Sequence, residues 1–512
     1  MSAQTSLRHR FVERAPALIA ANAVVWWLCY VLSRNNLDPY GDMVEAYSWG
    51  INWVWGYDKH PPLSGWVAAA WFSVFPTQDW AFYLLAVANQ ALAFWWLYLA
   101  ARLALPERAA YVACGLGMLV SLFGPDTGFK YNANSAMLPW VAGFTWAVLH
   151  AIRRQHMGYA LLAGLFAGLT FLSKYYAVVV LGAISIALAI QWRRELPRLV
   201  RPGLLAALSA AAVATPHIVW AHRHHWPTLR YAIDSHAYEA GSHPTWNAML
   251  FAAIVAILPT LAWSAVVLLG RRSITRQDSA AAPSPAPRQR SLGGLSWWVS
   301  VGLTVAGAAA TGTSVAPKWL IPAWLFYGWW LCERTPALTN WPLLGQYLRR
   351  GLYVYWLLML CTAVVLMIRQ SDPRLTPPTG FQHQIADDVT TAWRAAAGMP
   401  LAYVGGSVPL GYAVSFYSDD HPISLVNTDF IRSSWTTREQ VEGKGIAVLC
   451  LKSDGPCEML AAKALGPASS RQAFSYKARS VADNESGAVV VNLLVYLPHF
   501  TSRTRQAAAS PG

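Results

Sequence analysis

The chain has 512 residues, 55% of them hydrophobic and 12% charged, with 27 tryptophans and a formal net charge of +14. That composition excludes an ordinary soluble domain and indicates a polytopic membrane protein. The basic balance calls for no nucleic-acid partner, because arginines between apolar segments account for much of it.

A bilayer core takes roughly 17 to 25 apolar residues per helix. Eleven segments qualify as candidate spans, centred near residues 24, 92, 116, 141, 165, 184, 210, 258, 305, 325 and 360. The first runs from about Ala15 to Ser33 behind Arg8, Arg10 and Arg14, and its apolar run continues past the weak Ala-Asn-Ala site ending at Ala23. It reads as an uncleaved signal anchor.

Directly after it, residues 41–66 read GDMVEAYSWGINWVWGYDKHPPLSGW and set Asp42, Glu45, Asp58, Lys59 and His60 between tryptophan-rich apolar stretches. Ionisable groups are costly near hydrocarbon, so the cluster marks a place where membrane meets water. Asp42 and Glu45 are three apart and would share one face of a helix. The plain reading is a solvated juxtamembrane loop. The chemical reading gives one carboxylate the task of a base or electrostatic orienter for a nucleophile. Lys59 and His60, ahead of Pro61-Pro62, then supply cationic or hydrogen-bonding groups for a departing phosphate.

Every second loop is rich in arginine: Arg102 with Arg108, Arg153 with Arg154, Arg193 to Arg201, Arg271 to Arg290, and Arg349 with Arg350. Arginines near helix ends favour the cytoplasmic side. With eleven spans, residues beyond about 370 then face outward, which in a bacterial cell is the periplasm. All eight lysines fall on that outer side, Lys174 in LSKYYA and Lys318 in APKWLIPAW among them. Either they snorkel to lipid phosphates or they hold an anionic ligand at the outer surface. The tryptophan pairs Trp26-Trp27, Trp95-Trp96, Trp297-Trp298 and Trp329-Trp330 read as interfacial anchors.

His222, His224, His225, His236, Glu239 and His243 lie in the loop between the seventh and eighth spans. Metal ligation needs convergent ligands, which no spacing here fixes. The cluster reads as hydrogen-bonding groups at the membrane interface, with no metal, and His236 and Glu239 are substrate-binding candidates. Residues 277–289, rich in Ser, Ala and Pro, read as a cytoplasmic linker. The predicted organisation is a transmembrane domain over 1–369 with the first outer loop at 34–80, a small periplasmic α/β domain over 370–500, and a disordered tail over 501–512. Strand-like runs in the second part are LAYVGG, AVSFYS, PISLVN, IAVLCL and AVVVNLLVYL. Cys450 and Cys457 fall in the oxidising compartment across a short turn and form a predicted disulfide. The other four cysteines lie in apolar spans.

The order Glu45-Ala46-Tyr47-Ser48-Trp49-Gly50, some ten residues, then His60-Pro61-Pro62-Leu63 and Trp66 resembles the GT-C membrane glycosyltransferases. Within these it is similar to the bacterial group of lipid A aminoarabinose and galacturonic acid transferases and protein O-mannosyltransferases. The resemblance extends through LSKYYAVVVL and PKWLIPAW. It implies a polytopic α-helical fold and an inverting transfer of a sugar from a polyprenyl-phosphate donor to a lipid, glycan or protein acceptor, without a cofactor, in a bacterial inner membrane with the site facing the periplasm.

Carried over residue by residue, Asp42 or Glu45 is the base and the other positions donor or acceptor. His60, with Lys59 adjacent, is implied to contact the donor phosphate, and Lys174 and Lys318 join them as candidates from their place in short outer turns. Tyr47, Trp49, Asn132 and Asn134 are substrate-binding candidates. Relatives commonly show adjacent Asp-Glu, whereas Val44 precedes Glu45 here. They often open the fourth helix with an acidic residue, whereas this chain has KYNANSAML, with Asp126 as the near alternative. A two-carboxylate or metal-assisted scheme is accordingly disfavoured. The rival class is a transporter or lipid flippase without covalent catalysis. Transporters place ionisable groups near mid-membrane, while the charges here collect at the outer rim. A third reading is a noncatalytic partner that assembles through the C-terminal domain.

Overall fold

A computed structural model describes residues 14–38, 41–125, 128–234, 256–265, 292–311, 317–334, 344–370, 381–479 and 486–498. In chain order the helices begin with α1 (Arg14–Ser33), α2 (Asp42–Gly50), α3 (Leu63–Phe72), α4 (Asp79–Ala104) and α5 (Glu107–Met118). They continue with α6 (Ala133–Ala136), α7 (Leu138–Arg154), α8 (Met157–Ser173), α9 (Ala177–Gln191), α10 (Pro197–Arg223) and α11 (Pro227–Asp234). Next come α12 (Ala256–Ala265), α13 (Leu292–Thr311), α14 (Ile321–Trp324), α15 (Tyr327–Arg334) and α16 (Leu344–Gln370). The remainder is α17 (Gln382–Ala397), β1 (Tyr403–Gly406), α18 (Leu410–Tyr417), β2 (Ile423–Val426), α19 (Arg438–Lys444), β3 (Ile446–Leu451), α20 (Gly455–Leu465), β4 (Ser470–Arg479) and β5 (Ser486–Tyr496).

Six helical stretches among the described residues are long and apolar enough to cross a membrane: Ala15–Ser33, Asp79–Ala104, Ala133–Arg154, Pro197–Arg223, Leu292–Thr311 and Gly345–Arg369. The other expected centres fall in or beside shorter helices, α5, α8, α9, α12 and the broken pair α14 and α15.

Two compact units divide the chain. One comprises Met1–Tyr30, Tyr83–Trp220 and Leu229–Thr362. Its core holds an apolar cluster that includes Phe94, Leu116, Phe123, Val141, Ile184 and Trp329. Inside it Trp356 Nε1 donates to Asn22 Oδ1 at 3.1 Å, joining α16 to α1. The Glu333 carboxylate accepts from the first amides of α13, Gly293 and Gly294, at 3.1 and 3.0 Å. Helices α8 and α10 touch through Gly164, where a Cβ would lie 2.3 Å from the Ala206 carbonyl oxygen. In three of the tryptophan pairs one member, Trp26, Trp297 or Trp329, is a buried packing residue, whereas Trp298 is exposed and Trp27, Trp95, Trp96 and Trp330 are half-buried.

The second unit comprises Val31–Phe82, Ala221–Thr228 and Ala363–Gly512. Its five-stranded sheet has the order β2-β1-β3-β5-β4. β2, β1 and β3 run parallel, with Val404 facing Ser424 on one side and Ala447 on the other; β5 and β4 complete it antiparallel. Alternation along β3 sorts its side chains by face. Ala447 and Leu449 pack with Val389 and Trp393 of α17 and Val414 of α18, while Ile446, Val448 and Cys450 pack with Val441 of α19 and Ala461 of α20. Both faces are covered, as parallel strands require.

Two expectations are corrected here. AVSFYS is not a strand but part of α18, which starts after Pro409 and is buried from Leu410 to Phe416. β4 escaped notice because Arg471, Gln472 and Ser475 leave it without an apolar run.

Candidate active site

In the second unit α2 is short and would be marginal alone. Its start is fixed by the buried Asp38, whose carboxylate accepts from the backbone N–H of Asp42 at 3.1 Å and of Met43 at 2.9 Å. Negative charge at a helix N-terminus is stabilising. Gly41 makes the entry possible: its φ is +78°, and a Cβ there would lie 2.2 Å from Pro409 Cβ. Every residue from Met43 to Gly50 is buried. Tyr47 packs edge-on against Phe72 and Phe416, with centroids 5.4 and 5.1 Å away. Trp49 stacks on Tyr57 at 5.0 Å, and the Tyr57 hydroxyl donates to the Trp49 carbonyl at 2.7 Å.

That stack brings the following turn back onto α2. The turn is closed by Tyr57 N–H donating to the His60 carbonyl at 3.1 Å, and Thr228 Oγ1 donates to the Tyr57 carbonyl at 3.0 Å. Lys59 Nζ then lies 2.5 Å from Glu45 Oε1, and the Glu45 side chain is only 8% exposed. The His60 ring meets Trp49 edge-on at 6.0 Å. Burial pushes the Glu45 carboxyl up to about 7; Lys59 opposes the rise, and Asp58 and Asp42 add to it. A carboxyl near neutrality is suited to accept a proton. Asp42 is half-buried on the first turn.

Asp58 is buried and engaged by a residue that sequence reasoning missed. Arg432 Nη2 and Nε donate to Asp58 Oδ2 at 2.6 and 3.2 Å. Arg432 stands on the loop after β2, where Asn427 and Thr428 adopt left-handed φ values of 51° and 57°. The Asp429 carboxylate accepts from Ile431 and Arg432 N–H, and Ser433 Oγ accepts from Val426 N–H at 2.9 Å. Tyr412 of α18 is buried in the same field, and burial raises its hydroxyl well above the ordinary range, with Glu45 and Asp58 adding to the effect. Asp38 and Arg432 left no local trace in the sequence, since one acts as a cap from outside its helix and the other from 374 residues away.

The first unit holds the remaining described candidates. Asn132 is the N-cap of α6 in a capping box with Ser135: its side chain accepts from the Asn134 and Ser135 amides. Asn134 Oδ1 accepts from Lys174 Nζ at 2.8 Å. Gln90, Lys130, Asn132, Asn134 and Ser135 line a small cavity. Lys318 lies in the turn Pro317–Leu320, its side chain outside the described set, as are Asp126, His236, Glu239 and His243. His222 and His225 are exposed at the end of α10, and among the described residues no group of three His, Cys, Asp or Glu is placed to hold a metal. Cys450 and Cys457 form a disulfide with Cα atoms 5.6 Å apart, joining the end of β3 to α20.

Residues 59–220 match the family model described as dolichyl-phosphate-mannose-protein mannosyltransferase. Over 319 residues the chain is 25% identical to the lipid A galacturonosyltransferase RgtD of Rhizobium johnstonii, an alignment that covers 59% of this chain and 64% of that protein. Its structure is similar to that of ArnT from Cupriavidus metallidurans bound to undecaprenyl phosphate, with a TM-score of 0.61 at 13% identity over 96% of this chain and 98% of the other. The apo form of the same protein gives 0.57 at 15% identity over the same shares.

Proposed function

We propose that this chain, which has the fold of the GT-C membrane glycosyltransferases, moves a sugar from a polyprenyl-phosphate donor to a lipid, glycan or protein acceptor, with inversion. We place the reaction at the periplasmic face of a bacterial inner membrane. The observation that carries the reading is Glu45: a buried carboxyl pushed up to about 7, held 2.5 Å from Lys59 on a helix anchored by Asp38. The undecaprenyl phosphate bound to the ArnT relative and the lipid A acceptor in the name of the RgtD relative support the donor and acceptor classes.

In a single displacement an acceptor oxygen attacks the anomeric carbon as the bond from that carbon to the phosphate oxygen breaks. The electron pair leaves with the polyprenyl phosphate. Glu45 takes the acceptor proton as base, and Asp42 orients donor or acceptor. Proton uptake neutralises the carboxylate facing Lys59, so the ammonium's field turns toward the departing phosphate as charge develops there. His60 is assigned to the same phosphate, as are Lys174 and Lys318. Tyr47 and Trp49 hold α2 in place, and Asn134 with Asn132 and His236 with Glu239 are assigned to substrate.

Purified Glu45→Gln should insert normally and lose about 10²-fold or more in transfer from a polyprenyl-phosphate sugar, the scale expected for a lost general base. Asp42→Asn should lose less. Near-normal turnover in both variants would sink the catalytic assignment. Mass spectrometry of envelope lipids and glycans from a deletion strain identifies the sugar and acceptor.

A further inference from the structure

Asp58 carries a negative charge into a buried site beside a carboxyl that must ionise to work. Its side chain is 3% exposed, and both Arg432 nitrogens converge on the one oxygen Oδ2. Oδ1 is buried without a hydrogen-bond partner among the described residues. Lys59, next in sequence, is the residue that meets Glu45. A guanidinium delivered from the loop after β2 therefore neutralises the residue on which the Tyr57–His60 turn is hung.

We propose that Arg432 is a positioning residue for the transfer reaction: by gripping Asp58 it holds the Lys59 turn against α2 and balances the charge around Glu45. The proposal rests on Glu45 being the base. The charged and titratable groups facing Glu45 are Asp42 on its own helix, Asp58 and Lys59 from the turn, and Tyr412 from α18; Arg432 offsets both Asp58 and Tyr412. Breaking a buried pair from one side leaves an uncompensated charge rather than a neutral gap. The two halves of the pair must therefore act on Glu45 with opposite sign.

The test is the pH dependence of kcat/KM for transfer by the purified full chain. Arg432→Met leaves Asp58 uncompensated, makes Glu45 harder to ionise, and should move the acidic limb upward by about one pH unit. Asp58→Asn should move the limb downward, and the double variant should return it toward wild type. Arg432→Lys keeps the charge and loses the fork, so the limb should stay while kcat falls. Limbs that do not move in Arg432→Met and Asp58→Asn, or that move the same way, would overturn the proposal. A thermal-unfolding cycle over the same four proteins reads the grip without any reference to catalysis, and additive effects there would overturn it as well. Full activity in Glu45→Gln defeats the base assignment instead, so the two failures are told apart.

Discussion

Glu45 is a carboxyl whose ionisation opposes folding. Its ordinary value of 4.5 is raised to about 7 in the folded protein, mainly by burial. The folded state therefore holds this proton more tightly than the unfolded chain does. The stability so gained is complete below about pH 4.5 and is lost as pH rises through about 7. Glu45→Gln should accordingly unfold at a higher temperature than wild type at pH 8, and the gap should close as pH falls toward 4.5. A variant that is less stable at pH 8 would mean that Lys59 more than offsets burial. The activity of the wild type should show the same group from the other side, with kcat/KM rising as pH passes about 7. The sequence marked this residue because Asp42 and Glu45 sit three apart in an apolar setting, a local pattern. It could not choose between them, since the choice turns on how deeply each is buried, and that depends on Tyr57 and Tyr412 arriving from other segments.

At the scale of elements, α2 depends on a cap it does not contain. Asp38→Ala removes the acceptor for two amides and should cost about 1 kcal/mol, the usual scale for a lost cap. Hydrogen exchange should then quicken at the Asp42 and Met43 amides and along α2, while β1 and β3 keep their protection; unchanged exchange in α2 would show that packing alone holds it. Asp38→Asn, which still accepts a hydrogen bond, should recover most of the loss. The long apolar helices were legible because hydropathy accumulates along one segment, and β3 and β5 because β-branched runs bounded by turns read as strands. AVSFYS was misread because six residues are too few to carry a helical period, and the packing of α18 on the sheet decides their conformation. β4 was passed over for the converse reason: on a sheet edge its polar residues Arg471, Gln472 and Ser475 look like loop.

At the scale of the whole molecule, the orientation proposed from arginine placement can be tested by labelling. Cys361 is the exposed free cysteine among the described residues, with Cys29, Cys114 and Cys332 buried, so a Cys361→Ser background suffices and the Cys450–Cys457 disulfide stays intact. In that background Asn35→Cys and Ile431→Cys should react with a membrane-impermeant thiol reagent on intact spheroplasts, and Glu195→Cys only after lysis. Labelling of position 195 from outside would put the acidic cluster in the cytoplasm and replace the polyprenyl donor with a nucleotide sugar. The pairing of Asp58 with Arg432 also has a meaning in time. The two residues are 374 apart, and a ribosome adding ~5–20 residues per second needs roughly 20–75 s to pass from one to the other. During that interval the first outer loop has been made while the arginine that steadies it has not. The Asp58 turn therefore gains its Arg432 contact only after the segment beyond β2 has been made.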